Sequence, residues 1–221
     1  MSQNFPPSPT AAASAAPTVF LVDDDAAVLK SLGRLMRSTG LEVAAFSSPR
    51  QFLEHYDARI PGCLVLDVAM PGLDGLALQA ALVARDATLP IIFLTGHGDI
   101  PMSVQAMKRG ALDFLTKPVD DEALLRAIRL AFDQNRRWRA TQAELEAIRA
   151  RLVTLTPRER EVLGQVISGR LNKQIAADLG TVEATIKVHR ARVMEKMKVQ
   201  SLAELVRLAE QGGIKSQRPA A

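Results

Sequence analysis

Five short apolar runs near the start of the chain, alternating with segments of helical spacing, constrain its fold more than any other feature. The runs are Val19 to Val22, Glu42 to Phe46, Cys63 to Leu66, Ile91 to Leu94 and Asp113 to Leu115. Apolar runs of this length are typical of strands that are buried on both faces of a parallel sheet. The helical segments between them supply the crossovers that parallel strands need. We therefore predict a doubly wound α/β domain with a five-stranded parallel sheet.

Three of the segments between these runs carry apolar stripes at helical spacing. The stripes are Val28, Leu32, Leu35 and Met36; Leu76, Leu78, Ala81, Leu82 and Val83; and Met102, Val104 and Met107. Such stripes are typical of helices that pack on a sheet, so each is expected to face the core.

The charge is divided unevenly along the chain. Residues 1–121 hold 9 Lys and Arg against 13 Asp and Glu, a net charge of −4, whereas residues 122–221 hold 19 against 11, a net charge of +8. This division indicates two domains with different partners, and a basic domain is typical of nucleic-acid binding. The single cysteine excludes a disulfide framework or a cysteine-based zinc site within one chain. No apolar stretch reaches the roughly 18 residues of a membrane span.

Charged and hydroxyl side chains follow four of the five predicted strands. They are Asp23, Asp24 and Asp25 after the first strand, Asp67 after the third, Thr95 after the fourth and Lys117 after the fifth. Because the carboxyl ends of parallel strands meet at one edge of a sheet, we expect these side chains to converge. Each also has a simpler interpretation when taken alone. Asp25 is then a helix N-cap, Asp67 a turn residue and Lys117 a surface charge.

The predicted cluster of carboxylates favours a particular chemistry. Carboxylates that lie close together repel one another unless a cation neutralises them. Oxygen ligands of this kind suit Mg²⁺. The ion and Lys117 would together stabilise a phosphoryl group during transfer, and the carboxylate of Asp67 would be the nucleophile that forms an acyl phosphate.

Residues 18–132 resemble the receiver domain of response regulators, which has a flavodoxin-like fold. The matching motifs are VDDD at 22–25, LDVAMPGLDG at 66–75, FLTGHGD at 93–99 and DFLTKP at 113–118. The resemblance implies that a sensor histidine kinase phosphorylates Asp67. It also implies Asp24, Asp67 and the backbone carbonyl of Ala69 as ligands of Mg²⁺, with Asp23 completing the acidic pocket.

The resemblance implies three further roles at the same edge of the sheet. Lys117 pairs with the phosphoryl group, Thr95 moves to hydrogen-bond it, and Phe114 swings inward behind Thr95 as the second half of a switch.

Position 69 departs from the family pattern, because family members often carry a polar or basic side chain there. Haloacid-dehalogenase-type phosphatases also use a strand-end aspartate and have a second aspartate at this position as the acid, so Ala69 argues against hydrolytic turnover by that route.

A long helix is predicted between the two domains. No Gly or Pro interrupts Asp120 to Leu155, and good helix formers fill the stretch. Apolar residues recur there at alternating spacings of three and four, as along the contact seam of a coiled coil, but Asn135, Gln142 and Arg149 interrupt this seam. Two interpretations stay open: a coiled coil, or the last receiver helix followed by a helical linker over residues 133–150.

Four short helices are predicted within residues 151–214. Thr156 starts the first with a capping box that Glu159 completes, and Ser201 caps the fourth. The third, Val182 to Met197, has an apolar inner face of Val182, Ile186, Val193 and Met197. Its outer face is cationic, with Lys187, Arg190, Arg192 and Lys196, and Lys198 follows directly after the helix. Such a helix fits the major groove of DNA, where phosphate contacts give affinity and base contacts give sequence choice. A solvated basic face is the simpler alternative.

This second domain resembles the LuxR-type helix-turn-helix. The matching motifs are LTPREREVL at 155–163, NKQIAADLG at 172–180 and TIKVHRARVMEKM at 185–197. The resemblance implies a helix-turn-helix over Asn172 to Ala191. It also implies contacts with double-stranded DNA from Lys173 on phosphate and from four residues of the recognition helix, Thr185, Lys187, Val188 and Arg190. Family members usually start that helix with Ser where this chain has Val182, and Thr181 is expected to cap one residue early.

The chain as a whole is similar to response regulators of the FixJ/NarL group. We expect a cytoplasmic bacterial transcription regulator and no membrane partner. It would form a homodimer when phosphorylated, favour activation over repression, and have RNA polymerase as a further candidate partner. Two alternatives stay open: a metal-dependent aspartyl-phosphate hydrolase, and a phosphate-sink or protein-binding module whose basic domain binds protein or RNA. Residues 1–17 and 215–221 are expected to be disordered tails.

Overall fold

The computed structural model describes residues 16–72, 74–85, 88–96 and 100–214, and for residues 100 and 101 the backbone alone. The chain divides into two compact units, Met1–Arg139 and Ala140–Ala221. Apart from residues 16 and 17, the predicted tails lie outside the described residues. No helix within the described ranges is long and apolar enough to cross a membrane.

The first unit is built on a five-stranded sheet in which every neighbouring pair is parallel. The strands are β1 (Thr18–Val22), β2 (Glu42–Phe46), β3 (Gly62–Asp67), β4 (Ile91–Thr95) and β5 (Asp113–Thr116). Their order is β2-β1-β3-β4-β5. The predicted α/β fold is confirmed. The sequence order reverses beside β1, which is where ligands bind in sheets of this kind.

Helices cover both faces of the sheet. They are α1 (Ala26–Ser38), α2 (Pro49–His55), α3 (Gly75–Val83), α4 (Ile100–Lys108) and α5 (Asp121–Val153). Alternate residues of a strand point to opposite faces, so Phe20 packs with residues of α2 and α3 while Leu21 packs with residues of α1 and α5. The two cores hold β1, β3 and β4 between them, and this explains why those strands are apolar throughout.

Two of the predicted apolar stripes do not face the core along their whole length. Val83 of α3 is exposed, and Val104 and Met107 of α4 are each 46% exposed. Helix α4 packs on the sheet through Ala106 instead, which is fully buried. The prediction that these three residues are buried is therefore wrong, because spacing identifies an apolar face but not what the face contacts.

The polar seam of α5 has a structural explanation in Asn135. This side chain is buried, and its Oδ1 accepts a hydrogen bond from the Gly62 N–H at 3.2 Å while its amide donates to the Thr88 carbonyl at 3.3 Å. Ile128 and Ala131, earlier on the same face, pack in the receiver core. The three-four spacing of this half of α5 therefore reflects packing on its own sheet.

The second unit is helical. After the end of α5 come α6 (Pro157–Ile167), α7 (Asn172–Asp178), α8 (Glu183–Met197) and α9 (Leu202–Gln211). The predicted capping box joins Thr156 and Glu159, and Ser201 accepts a hydrogen bond from the Glu204 N–H. Ile148 of α5 packs in the same core as all four helices. The four-helix prediction is confirmed.

Gly62 is expected to be essential to the sheet, because β1 passes too close for a side chain. A Cβ at this position would lie 2.0 Å from the Thr18 carbonyl oxygen. Gly62→Ala is expected to lower the free energy of unfolding of the first unit by about 2–3 kcal/mol through overpacking. Urea unfolding followed by fluorescence measures this loss, because the single tryptophan, Trp138, lies in this unit.

Gly33 of α1 provides the matched control. A Cβ there would meet only the flexible end of the Arg37 side chain, at 3.0 Å. Since alanine is favoured over glycine inside a helix by about 0.5–1 kcal/mol, Gly33→Ala is expected to leave stability unchanged or to raise it. Equal losses in the two variants would contradict the close approach of β1 and β3.

Candidate functional site

Three carboxylates meet at the carboxyl edge of the sheet. Asp23 and Asp24 follow β1, and Asp67 is the last residue of β3. One carboxylate oxygen from each lies within 4.8 Å of the others. Asp23 is fully buried and Asp67 is 5% exposed, whereas Asp24 faces solvent. The predicted convergence of these residues is therefore what the fold produces.

Lys117 reaches the carboxylates from the end of β5. Its Nζ lies 2.6 Å from Oδ2 of Asp23 and 3.3 Å from Oδ2 of Asp67. Its backbone N–H donates to the Thr95 carbonyl at 2.6 Å, which ties β5 to β4 beside the site. Asp23 is also held by the N–H of Asp25 at 2.9 Å. Lys117 is thus part of the acidic pocket and not a surface charge.

The electrostatics of the pocket follow from burial and from these charges. Burial raises the pKa of Asp67, Lys117 opposes this rise, and the nearby charge of Asp23 adds to it, so that the net pKa is raised. Burial lowers the pKa of Lys117, but its hydrogen bond to Asp23 and the charges of both aspartates outweigh this effect and raise it. Lys117 is therefore held in its charged form.

The donor set fits a divalent cation. Lys117 faces three carboxylates, so within the described part of the chain the cluster keeps an excess of negative charge. Carboxylate oxygens are the ligands that Mg²⁺ takes in proteins, and the exposure of Asp24 leaves room for the waters that Mg²⁺ retains. Ala69, whose N–H hydrogen-bonds the Asp67 carboxylate, is exposed at the same edge. The role of its carbonyl as a ligand stays a prediction.

The two predicted switch residues lie on the strands next to Asp67. Thr95 ends β4 and is buried. Phe114 of β5 is half-buried and packs against Phe93, its register partner on β4, with 6.1 Å between ring centroids. Positions 97–99 of the same sequence motif lie outside the described residues. Movement of Thr95 and Phe114 stays a prediction.

The structure resolves the two interpretations of Asp25 and adds one residue to the site. Asp25 caps α1, because its Oδ1 accepts a hydrogen bond from the Ala27 N–H at 2.7 Å.

Gly75, which sequence reasoning missed, begins α3 directly against β3. A Cβ on Gly75 would lie 2.4 Å from the Asp67 carbonyl oxygen. Its signal in the sequence was a glycine directly after the N-cap Asp74.

The second unit contains the predicted helix-turn-helix in α7 and α8. Ile175 and Ala176 of α7 and Ile186, Val193 and Met197 of α8 are buried in one core. The opposite side of α8 is exposed, as a recognition helix requires. Ile186, Val193 and Met197 therefore form the inner face as predicted, and exposed residues form the outer face. The prediction that Val182 also lies on the inner face is wrong, because Val182 is the N-cap ahead of the first helical residue and is 64% exposed.

The predicted DNA contacts differ in their surroundings. Lys173, Lys187 and Val188 are exposed, and Lys187 has Glu183 at 3.5 Å on the same helix. Thr185 and Arg190 are half-buried, and Nη1 of Arg190 donates to Oδ1 of Asn172 at 3.2 Å. All five lie on α7 and α8, the two helices of the predicted helix-turn-helix, and their contacts with DNA stay predictions.

Lys196 is not part of a free cationic face. Its Nζ lies 2.6 Å from Oε2 of Glu159 on α6 and donates to the Thr154 carbonyl at 3.1 Å. Glu159 is buried and also accepts the Thr156 N–H at 2.9 Å. The sequence prediction that placed Lys196 on the cationic side of α8 is therefore wrong, because a buried carboxylate on the neighbouring helix holds its ammonium group.

The start of α8 also differs from the prediction. Val182 is the N-cap and makes no side-chain capping hydrogen bond. The expected cap from Thr181 is wrong, because its backbone N–H donates to the Ala176 carbonyl at 2.9 Å and closes the end of α7. Thr181 therefore belongs to the turn that separates the two helices.

Removal of the Asp67 charge is expected to stabilise the first unit when no divalent cation is bound. A carboxyl whose pKa is raised by folding contributes stability at low pH, and this contribution is lost as the pH rises through the raised pKa. At neutral pH the charged form therefore destabilises the fold, and Asp67→Asn removes that charge. Urea unfolding in the presence of a chelator is expected to show a higher midpoint for Asp67→Asn, with the two proteins converging at acidic pH.

Addition of Mg²⁺ is expected to reverse this order at neutral pH. A cation at ten times its dissociation constant stabilises the fold by about 1.4 kcal/mol. The wild-type protein gains this stability, and Asp67→Asn gains less because it has lost a ligand. The same rise in both proteins would contradict a cation site that includes Asp67.

The pair formed by Glu159 and Lys196 is expected to support the second unit. The hydrogen bond from Lys196 and that from the Thr156 N–H lower the pKa of Glu159 below its usual value. Its stabilising contribution is therefore present at neutral pH and is lost as the pH falls through the lowered pKa. Glu159→Gln is expected to cost about 1–2 kcal/mol at neutral pH, because a charge-assisted hydrogen bond is lost.

Thermal unfolding followed by far-ultraviolet circular dichroism measures this cost. Glu161→Gln is the matched control, since Glu161 lies on the same helix and pairs with Arg158 in solvent. An exposed pair contributes little, so its loss is expected to change stability by less than about 0.5 kcal/mol. Equal effects in the two variants would contradict a special role for Glu159.

Two family models match the chain. The model described as the response regulator receiver domain matches residues 19–129, and the model described as bacterial regulatory proteins of the luxR family matches residues 153–209. The two matches fall on the α/β unit with the acidic pocket and on the helical unit with the helix-turn-helix.

Relatives share both parts of the chain. Nodulation protein W of Bradyrhizobium diazoefficiens is 48% identical over 202 residues, which cover 91% of this chain and 89% of that protein. Response regulator protein TodT of Pseudomonas putida F1 is 46% identical over 195 residues, covering 88% of this chain and 86% of that protein.

Solved structures agree with this assignment. The response regulator StyR superposes with a TM-score of 0.79 at 50% identity, covering 89% of this chain and all of that chain. Full-length FixJ from B. japonicum superposes with a TM-score of 0.55 at 41% identity, covering 91% of this chain and all of that chain. The chain therefore belongs to the two-component response regulators that join a receiver domain to a LuxR-type helix-turn-helix, a family of DNA-binding transcription regulators and not of enzymes.

Proposed function

We propose that this protein regulates transcription and that phosphorylation of Asp67 by a sensor histidine kinase switches its binding to DNA. One observation carries the proposal. The carboxylate of Asp67 lies at the edge of the sheet with the Lys117 ammonium 3.3 Å away and two further carboxylates beside it. This arrangement offers a nucleophile, a cation for the transferred group and ligands for a metal ion.

Among the three carboxylates, Asp67 is best suited to accept the phosphoryl group. Asp23 is fully buried, and it is bound to both Lys117 at 2.6 Å and the Asp25 N–H at 2.9 Å. Asp24 is exposed and lies outside the buried part of the cluster. Asp67 is buried but not completely, and burial raises its pKa above the usual aspartate value, which makes its carboxylate a stronger nucleophile than an ordinary aspartate.

Phosphoryl transfer then follows from the positions of these residues. A carboxylate oxygen of Asp67 bonds to the phosphorus of a phosphohistidine on the kinase, while the bond from phosphorus to the histidine nitrogen breaks and that nitrogen takes a proton. The ammonium of Lys117 pairs with the transferred oxygens. Asp24, Asp67 and the Ala69 carbonyl, beside Asp23, would hold Mg²⁺, which would supply neutralising charge when bound.

The switch follows from the buried hydroxyl next to this site. A phosphoryl group on Asp67 offers hydrogen-bond acceptors to Thr95, and Phe114 moves inward as Thr95 leaves its place. These movements change the face formed by α4, β5 and the start of α5, residues ~101–132. Val104 and Met107 expose apolar surface on α4, which supports homodimer formation through this face.

The second domain supplies the output. A dimer presents two copies of α8 to adjacent half-sites, with Lys173 on phosphate and Thr185, Lys187, Val188 and Arg190 at the groove. We place the regulator in the bacterial cytoplasm, where its DNA target lies. Activation is favoured over repression, with RNA polymerase as a further partner. The domains extend over 18–132 and 151–214, with the linker at 133–150.

Fluorescence anisotropy tests the whole scheme. The full-length protein is titrated against labelled genomic duplexes that it selects, with and without acetyl phosphate and Mg²⁺. Phosphorylation is expected to tighten binding about tenfold, which lies within the usual range of coupling between two sites. Asp67→Asn is expected to keep the weak binding and to lose the response.

Asp57→Asn is the matched control. Asp57 is an aspartate of the same unit that pairs with Arg59 at the surface, away from the acidic pocket. This variant is expected to respond as the wild type does. Tight binding that ignores phosphorylation would remove the switch and keep the DNA-binding domain. A full response in Asp67→Asn would place the acceptor elsewhere.

A further inference from the structure

The four helices of the second unit begin in two different ways. Thr156 caps α6 and Ser201 caps α9, each with a side-chain oxygen that accepts a backbone N–H. Leu171 precedes α7 and Val182 precedes α8, and neither has a side chain that can cap. Leucine and valine are among the least favourable N-cap residues. The N-cap side chains of the framing helices therefore accept a backbone N–H, whereas those of the two helices of the helix-turn-helix do not; at α7, Gln174 accepts the Leu171 N–H instead, at 2.9 Å.

The Val182 side chain has no packing role that explains its presence. It is 64% exposed, although valine is ordinarily buried. It is not part of the core that Ile186, four residues later, belongs to. A single exposed valine is ordinary by itself. What points to a partner outside the chain is its place at the start of the recognition helix, at a position that favours a hydroxyl.

The position of Val182 limits what that partner is. Its carbonyl accepts the N–H groups of Thr185 at 3.0 Å and Ile186 at 3.3 Å, so it is fixed to the first turn of α8. In helix-turn-helix proteins, the amino-terminal residues of the recognition helix contact base edges in the major groove. Lys187 is exposed on the next turn, and residues 122–221 carry a net charge of +8. A polyanion is the complementary partner.

We propose that Val182 contacts a DNA base and reads the C5-methyl group of a thymine. The major groove displays one apolar group, this methyl, and a valine side chain has no donor or acceptor with which to read any other base feature. The inference rests on the proposed DNA-binding function and makes it more specific. Val182 thereby adds a base contact ahead of those expected from Thr185, Lys187, Val188 and Arg190.

Leu171 provides a matched control within the same unit. It is 68% exposed and, like Val182, begins a helix without a side-chain cap. It begins α7, however, and the first helix of a helix-turn-helix crosses the DNA backbone, where no methyl group is displayed. Substitution of Leu171 therefore tests for general effects of an apolar N-cap.

The experiment replaces thymines of an operator with deoxyuridine, one at a time. The operator is selected by the full-length wild-type protein from a random duplex pool, and binding is measured by fluorescence anisotropy. Loss of one methyl contact is expected to weaken wild-type binding about fourfold at one thymine of each half-site. Val182→Ala is expected to lose sensitivity at that thymine alone, and Leu171→Ala is expected to keep the wild-type profile.

Val182→Ser separates base reading from helix stability. The serine restores a capping hydroxyl, so this variant is expected to melt at a higher temperature than the wild type, and yet to lose the same thymine sensitivity as Val182→Ala. A purely structural residue would give better binding together with better stability.

Two results would overturn the inference. In the first, Val182→Ala keeps the complete deoxyuridine profile of the wild type. In the second, the wild type shows no sensitive thymine. Because the wild type still binds its operator in both cases, they leave the proposed function intact. Absence of any duplex binding by the wild type would instead remove the proposed function and this inference together.

Discussion

The contact of the Lys117 ammonium with Asp23 and Asp67 is the interaction on which the receiver site depends. It joins the ends of β1, β3 and β5, three strands that are far apart in the sequence. Without this charge, two buried carboxylates and the adjacent Asp24 would repel one another at the edge of the sheet. The lysine therefore keeps the acidic pocket compact, and because its charge falls short of three carboxylates, the donor set remains compatible with a divalent cation.

The sheet could be predicted because its central strands are buried on both faces, which leaves a continuous apolar signal in the sequence. The meeting of the site side chains at one edge could be predicted as well, since parallel strands bring their carboxyl ends together. The exposure of Val104 and Met107 could not be predicted, because an apolar stripe facing a core and one facing a second protein look alike. Asn135 was ambiguous for the opposite reason: a polar residue in an apolar seam is explained only by the backbone groups that it bonds.

In the site itself, the sequence located the side chains, and the structure was needed for what surrounds them. Glu159 holds Lys196 because α6 and α8 cross where the two side chains meet, and a crossing angle is not written in either helix alone. The same holds for Gly75, whose role comes from the approach of α3 to the Asp67 carbonyl. Local motifs therefore specify types of residue, whereas contacts between distant elements decide which of them are free to act.

Both units contain an arrangement that is locally unfavourable and that a partner outside the chain would relieve. In the receiver, like charges are packed around Asp67, and the proposed cation and phosphoryl group would bind the carboxylates and Lys117 respectively. In the helix-turn-helix, α8 begins at an exposed Val182 with no cap, while the framing helices keep theirs at Thr156 and Ser201. The positions that break local rules in both units are therefore those at which we propose that a ligand binds.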